Sequence, residues 1–93
     1  MSKFPAKLIE VNDVFEFPHG LLVFLPPLPY TLVNEVRLRA GDHIELHRPD
    51  GTVLQTTLYA LDRTKPSGGF TAISIKPFTK ADVPAGTEIF KVG

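Results

Sequence analysis

Three side chains of metal-ligating type fall two apart at His43, Glu45 and His47. On a strand, residues at that spacing share one face about 6.5–7 Å apart, where two imidazoles converge on a single zinc ion. The same pattern also describes a solvated strand face with Ile44 and Leu46 turned inward, and no neighbouring group that would orient the imidazoles is visible beside it. Other constellations are thinner. Ser67, within Pro66-Ser67-Gly68-Gly69, lacks the Gly-x-Ser-x-Gly setting of a nucleophile elbow. The Gly68-Gly69 pair has no helix start after it to cradle a phosphate. Asp13 and Glu16 are expected on opposite faces of a strand, which separates them as an acid–base pair. No catalytic set emerges and no cofactor is implied, so the expectation is a chain that binds and does not catalyse.

Two further groups of residues have types suited to recognition. Pro26-Pro27-Leu28-Pro29-Tyr30 is stiff and extended, because each proline fixes φ and removes a donor. Such a segment either docks as a polyproline II ligand on an aromatic groove or folds down, capping the core with Leu28 and Tyr30. Left exposed, it would be an apolar patch of the kind that marks a partner site. The second group is basic. Residues 37–80 hold seven bases (Arg37, Arg39, Arg48, Arg63, Lys65, Lys76, Lys80) against four acids (Asp42, Glu45, Asp50, Asp62). Arg37, Arg39, Arg48, Arg63 and Lys65 are therefore the candidate RNA contacts. Across the whole chain 10 Lys and Arg balance 10 Asp and Glu, whereas nucleic-acid binders draw their affinity from a basic excess. A protein partner is the first expectation and RNA the second.

The elements that must position these residues are short strands. Nine prolines and seven glycines punctuate the chain, a spacing that suits strands and tight turns better than helices. The apolar pattern predicts strands over residues 7–17 (with a bulge at Asn12-Asp13), 21–25 (apolar throughout and expected to be buried on both sides), 33–39, 43–47, 52–61, 70–76 and 88–92. Turns are expected at Pro18-His19-Gly20, at Ala40-Gly41-Asp42, at the hairpin signal Pro49-Asp50-Gly51 and over residues 80–86. Residues 31–40 read either as a half-buried strand or as a helix stopped by Gly41. Six or seven strands at this spacing indicate a small closed Greek-key barrel or a sandwich. An incomplete barrel would expose an edge strand, and two such edges could pair into a dimer.

Ninety-three residues suit one domain spanning 1–93, large enough to bury a core without metal or disulfide. The absence of cysteine excludes a disulfide scaffold, a thiolate zinc site and a cysteine nucleophile. The longest apolar run, 21–25, is far short of the about 20 residues that span a bilayer. The N-terminus has no apolar stretch of signal-peptide length, so the expected location is cytoplasmic.

Two stretches resemble the β-barrel second domain of translational GTPases such as elongation factor Tu. One is Ala40-Gly41-Asp42-His43-Ile44-Glu45-Leu46, a small-residue turn into an alternating strand. The other is Ile73-x-Ile75 followed by Ala81-Asp82-Val83-x-x-Gly86-Thr87-x-Ile89, similar to that family's closing signature. Asp13-Val14-Phe15 resembles its opening strand. The resemblance covers residues 8–92 and implies a closed barrel; in the family, the region corresponding to Phe24–Tyr30 faces RNA. The chain has no Gly-x-x-x-x-Gly-Lys-Ser/Thr loop, so no nucleotide is expected to bind.

Overall fold

Turns, several of them built on proline and glycine, and two sheet-changing corners divide the described residues into nine short strands, which form two antiparallel sheets over one core. The computed structural model describes residues 5–63 and 69–92. The strands are β1 (Ala6–Glu10), β2 (Asp13–Phe17), β3 (Leu21–Leu25), β4 (Leu28–Pro29), β5 (His43–His47), β6 (Val53–Thr57), β7 (Ala60–Arg63), β8 (Phe70–Ile75) and β9 (Glu88–Lys91). One helix, α1 (Tyr30–Val36), lies between β4 and β5. One sheet has the order β1-β9-β5-β6; the other runs β2-β3-β8-β4, with β7 also paired to β8. The all-β expectation holds in this coarser form. Among the described residues no pairing joins the two sheets into a closed barrel.

Two expected strands are each broken in two, for one physical reason. Over 7–17 the chain changes partners within a single step: the Val11 N–H donates to Thr87 and the Asn12 N–H to Leu25. Thus β1 belongs to one sheet and β2 to the other, where a bulge was expected. Residues 52–61 behave alike. Leu58 N–H donates to Asp42 and Tyr59 N–H to Ser74, so β6 and β7 lie in different sheets. These two corners carry the chain from one layer to the other and leave Val11 and Leu58 buried.

The strand reading of 33–39 gives way to α1. Leu32, Val33 and Val36 fall on one helical stripe that packs on the core. The helix stops at Arg37, whose φ of 53° and ψ of 51° are left-handed. Leu38 N–H then reaches back to the Val33 carbonyl at 3.0 Å and Arg37 N–H to that of Asn34 at 3.2 Å. This is a Schellman closure with buried Leu38 against Val33, and Arg37 stands where glycine is usual.

The expected hairpin at Pro49-Asp50-Gly51 forms. Gly51 has a φ of 92°, open to glycine at little cost, and Asp50 Oδ1 accepts from both the Thr52 hydroxyl (2.7 Å) and the Thr52 N–H (3.0 Å). The resulting register sets Ile44 opposite Thr56 and Leu46 opposite Leu54. The core joins both sheets: Leu22, Phe24, Ile73 and Ile75 from one meet Ile44, Leu46 and Ile89 from the other. Lys91 is buried among them at 7% exposure, with Asp42 Oδ2 3.8 Å from its ammonium.

Candidate functional site

β3 is the feature that sets this molecule's surface apart. It is Leu-Leu-Val-Phe-Leu, apolar on both faces, and was expected to be buried on both. The chain covers only one. Leu22 and Phe24 are fully buried, while Leu21, Val23 and Leu25 are partly open on the other side. An antiparallel sheet with one face in water normally places polar residues there.

The neighbouring edge strand extends the open face. In β2, Val14 points into the core, while Phe15 and Phe17 are 59% and 44% exposed. Their register sets Phe15 opposite Val23 and Phe17 opposite Leu21. The two rings stack at 5.5 Å between centroids. Toward the middle of the sheet the face continues through Ser74 and Ala60, each small. The Ser74 hydroxyl donates to the Ala60 carbonyl at 3.4 Å, so the polar atom is turned to the backbone. Phe15, Phe17, Leu21, Val23 and Leu25 thus form one contiguous apolar surface.

Charged groups rim it. A depression of about 340 Å³ runs along the β2 edge, lined by Asp13, Val14, Phe15, Glu16, Leu25 and Lys80. Asp13 and Glu16 stand at positions of opposite parity on β2, as expected, and each holds a different atom of Lys80. The Lys80 ammonium lies 3.4 Å from Asp13 Oδ1, and the Lys80 N–H donates to Glu16 Oε1 at 3.0 Å. Lys80 is held there by the turn Lys80–Asp82, whose start is fixed by the Thr79 N–H donating to Asp82 at 2.8 Å. Asp13 also accepts from the Val14 N–H at 2.8 Å. That bond, followed by Lys80, holds the Asp13 carboxyl below its ordinary range. At the far end of the face, the Lys76 ammonium sits 5.1 Å from the centre of the Tyr59 ring.

The residues singled out from sequence lie elsewhere. In the proline segment the Leu25–Pro26 peptide is cis, Leu28 is 1% exposed, and Leu28–Pro29 pairs with β8 at Thr71 and Phe70. Tyr30 begins α1, its N–H donating to Gly69 at 2.7 Å. The segment is therefore the cap, its backbone engaged in the sheet, and the extended ligand reading does not fit it. Pro26 and Pro29 stay exposed and Pro27 half-buried.

His43, Glu45 and His47 do share the outer face of β5, as expected, but they do not converge. Glu45 instead bonds to the His47 ring at 2.9 Å and accepts from Gln55 at 3.0 Å, and the His47 ring lies against Phe90 at 4.5 Å. Among the described residues no group of three His, Cys, Asp or Glu is placed to hold a metal. His43 lines a separate depression of about 330 Å³ with Ile44, Gln55 and Val92. The candidate RNA set is dispersed. Arg37 and Arg39 precede β5 and Arg48 follows it, so the five residues of that strand, about 16 Å long, lie between them. Arg63 ends β7, and Lys65, like Ser67 and Gly68, lies outside the described residues.

Sequence reasoning passed over Phe15 and Phe17 as site residues. The available signal was the pairing of a two-faced apolar strand with Phe-x-Phe in its neighbour. Among the described residues no helix is long and apolar enough to cross a membrane. The chain matches none of the protein-family models, curated proteins or solved structures with which it was compared.

Proposed function

We propose that this chain is a non-catalytic interaction module that docks a protein partner through the outer face of β2 and β3. The observation that carries the reading is the strand apolar on both faces with one face covered: Leu22 and Phe24 are in the core, while Leu21, Val23 and Leu25 face outward beside exposed Phe15 and Phe17. Removing such a surface from water is worth about 25 cal/mol per Å², and contiguous patches of this kind mark partner sites. Kinship with the second-domain barrel of translational GTPases belongs to the same proposal. It is supported by the turns at Gly41 and Gly86 within the two matching stretches, with φ of 90° and 93°.

The test compares the tagged chain with its F15E/F17E variant in parallel purifications from the native cell, with RNA binding measured across a salt series. A protein retained by the wild type and lost by the variant is the expected result. Identical captures by both would overturn the reading. RNA affinity that falls steeply with salt and ignores the two phenylalanines would replace it with the RNA alternative.

A further inference from the structure

The apolar face lies between two ends of opposite charge. At one end are the carboxylates of Asp13 on β2, which Lys80 of the same chain holds at 3.4 Å, and of Asp62 on β7. At the other, Lys76 follows β8. Register fixes this order: Asp13 sits opposite Leu25 and Asp62 opposite Ala72, whereas Val23 and Ala60 flank Ser74, one step nearer Lys76. The segment that carries Lys76 is itself anchored, since the Phe78 N–H donates to the Gly20 carbonyl at 2.7 Å. A Cβ on Gly20 would fall 3.1 Å from Pro77.

We propose that the face is covered by a second copy of this chain, in a two-fold dimer whose axis crosses the strands. The inference rests on the reading of this face as a docking surface and names its occupant. A two-fold contact must be self-complementary, and this pattern is. Rotation about such an axis carries the acidic end of each copy over the Lys76 end of the other. Phe15 and Val23 meet their own counterparts at the axis, Leu21 meets Leu25, and Phe17 lies over the Asp13 row. Asp13 is already paired with Lys80 of its own chain, so Asp62 is the charge that complements Lys76 of the other copy, as electrostatic complementarity requires. With 10 basic and 10 acidic residues, net charge sets up no long-range repulsion between copies.

Packing is face to face and not edge to edge. The Val14 N–H on β2 is already bonded to Asp13, and the charges of Asp13 and Glu16 stand on that strand, a pattern that blocks strand addition. The apolar part of the face is five residues, against the about 20–30 residues a side of a standard interface, so the dimer is reversible and concentration-dependent.

Sedimentation equilibrium of the full chain from micromolar to millimolar concentration tests this. The wild type is expected to pass from monomer to dimer. F15E/F17E should stay monomeric while keeping its urea midpoint, which shows that it folds. D62K and K76E should each weaken the dimer about five-fold, and the double variant D62K/K76E should recover most of that loss. A wild type monomeric at millimolar concentration overturns the inference, as does a double variant no better than the weaker single one. A monomer whose F15E/F17E variant loses a captured partner sinks the dimer alone. A dimer indifferent to F15E/F17E sinks the docking reading with it.

Discussion

The rings of Phe15 and Phe17 lie 5.5 Å apart and 23° from parallel on the open side of β2, touching each other where a core neighbour would be. Because water reaches both, they add little to the stability of the isolated chain. Replacing both with threonine, which suits a strand, is expected to shift the unfolding free energy by no more than about 1 kcal/mol. Leu22→Ala, one position along β3 but fully buried, should cost about 2–5 kcal/mol. Urea unfolding of the two variants checks the contrast. Equal losses would mean that the phenylalanines belong to the fold and not to a surface kept for binding.

The proline segment gives the opposite contrast. Leu28 is sealed into the core and Pro29 is exposed beside it. Leu28→Ala should therefore cost about 2–5 kcal/mol, while Pro29→Ala should cost about 1 kcal/mol or less, chiefly through freedom regained by the unfolded chain. The measurement is again the urea midpoint. A Leu28→Ala protein as stable as wild type would return this segment to the list of docking elements.

What the sequence made legible follows from how local each cause is. The turn at Pro49-Asp50-Gly51 could be read directly, since Gly51 supplies the positive φ and Asp50 the acceptor for Thr52. The inward pair Ile44 and Leu46 was legible from alternation alone. The corners at Val11-Asn12 and Leu58-Tyr59 were not, because residues on both sides keep strand character and only the distant partner changes. Helix and strand competed over 31–40 since Val36 and Leu38 alternate while Leu32, Val33 and Val36 make a helical stripe; the left-handed stop at Arg37 decided it. The candidate face was half legible. Residues 21–25 showed two apolar faces, but sequence does not say which of them the same chain covers.

Acid should weaken the fold through three hydrogen-bonded carboxylates, Asp13 and Asp50 exposed and Glu45 half-buried. Glu45 is held below its ordinary 4.5 by its hydrogen bond to His47 and then by Gln55. Asp50 is held below 3.8 by the Thr52 hydroxyl and then the Thr52 amide, and Asp13 by Val14 and Lys80. A carboxyl whose folded pKa lies below its unfolded one contributes stability that is fully present above the unfolded value. That contribution is lost as pH falls through the folded value. The urea midpoint is therefore expected to be level above about pH 5 and to decline below about pH 4. In E45Q/D50N the decline should be shallower, since two of the three groups no longer titrate. An acid limb as steep as the wild type's would place the cause elsewhere.

Arg37 offers a change in the other direction. Its left-handed φ and ψ at the end of α1 cost an L-residue with a Cβ about 1–2 kcal/mol, and glycine avoids that cost at this closure. Part of the gain is returned because glycine also loosens the unfolded chain. The expected net effect of Arg37→Gly is a stabilisation of about 0.5–1 kcal/mol. Arg37→Ala separates backbone from side chain, since it removes the same guanidinium and keeps the Cβ. With both variants measured by urea unfolding, Arg37→Gly should exceed Arg37→Ala by about 1 kcal/mol. If alanine matches glycine, the left-handed turn is not the strained element, and the helix must end on the burial of Leu38 against Val33.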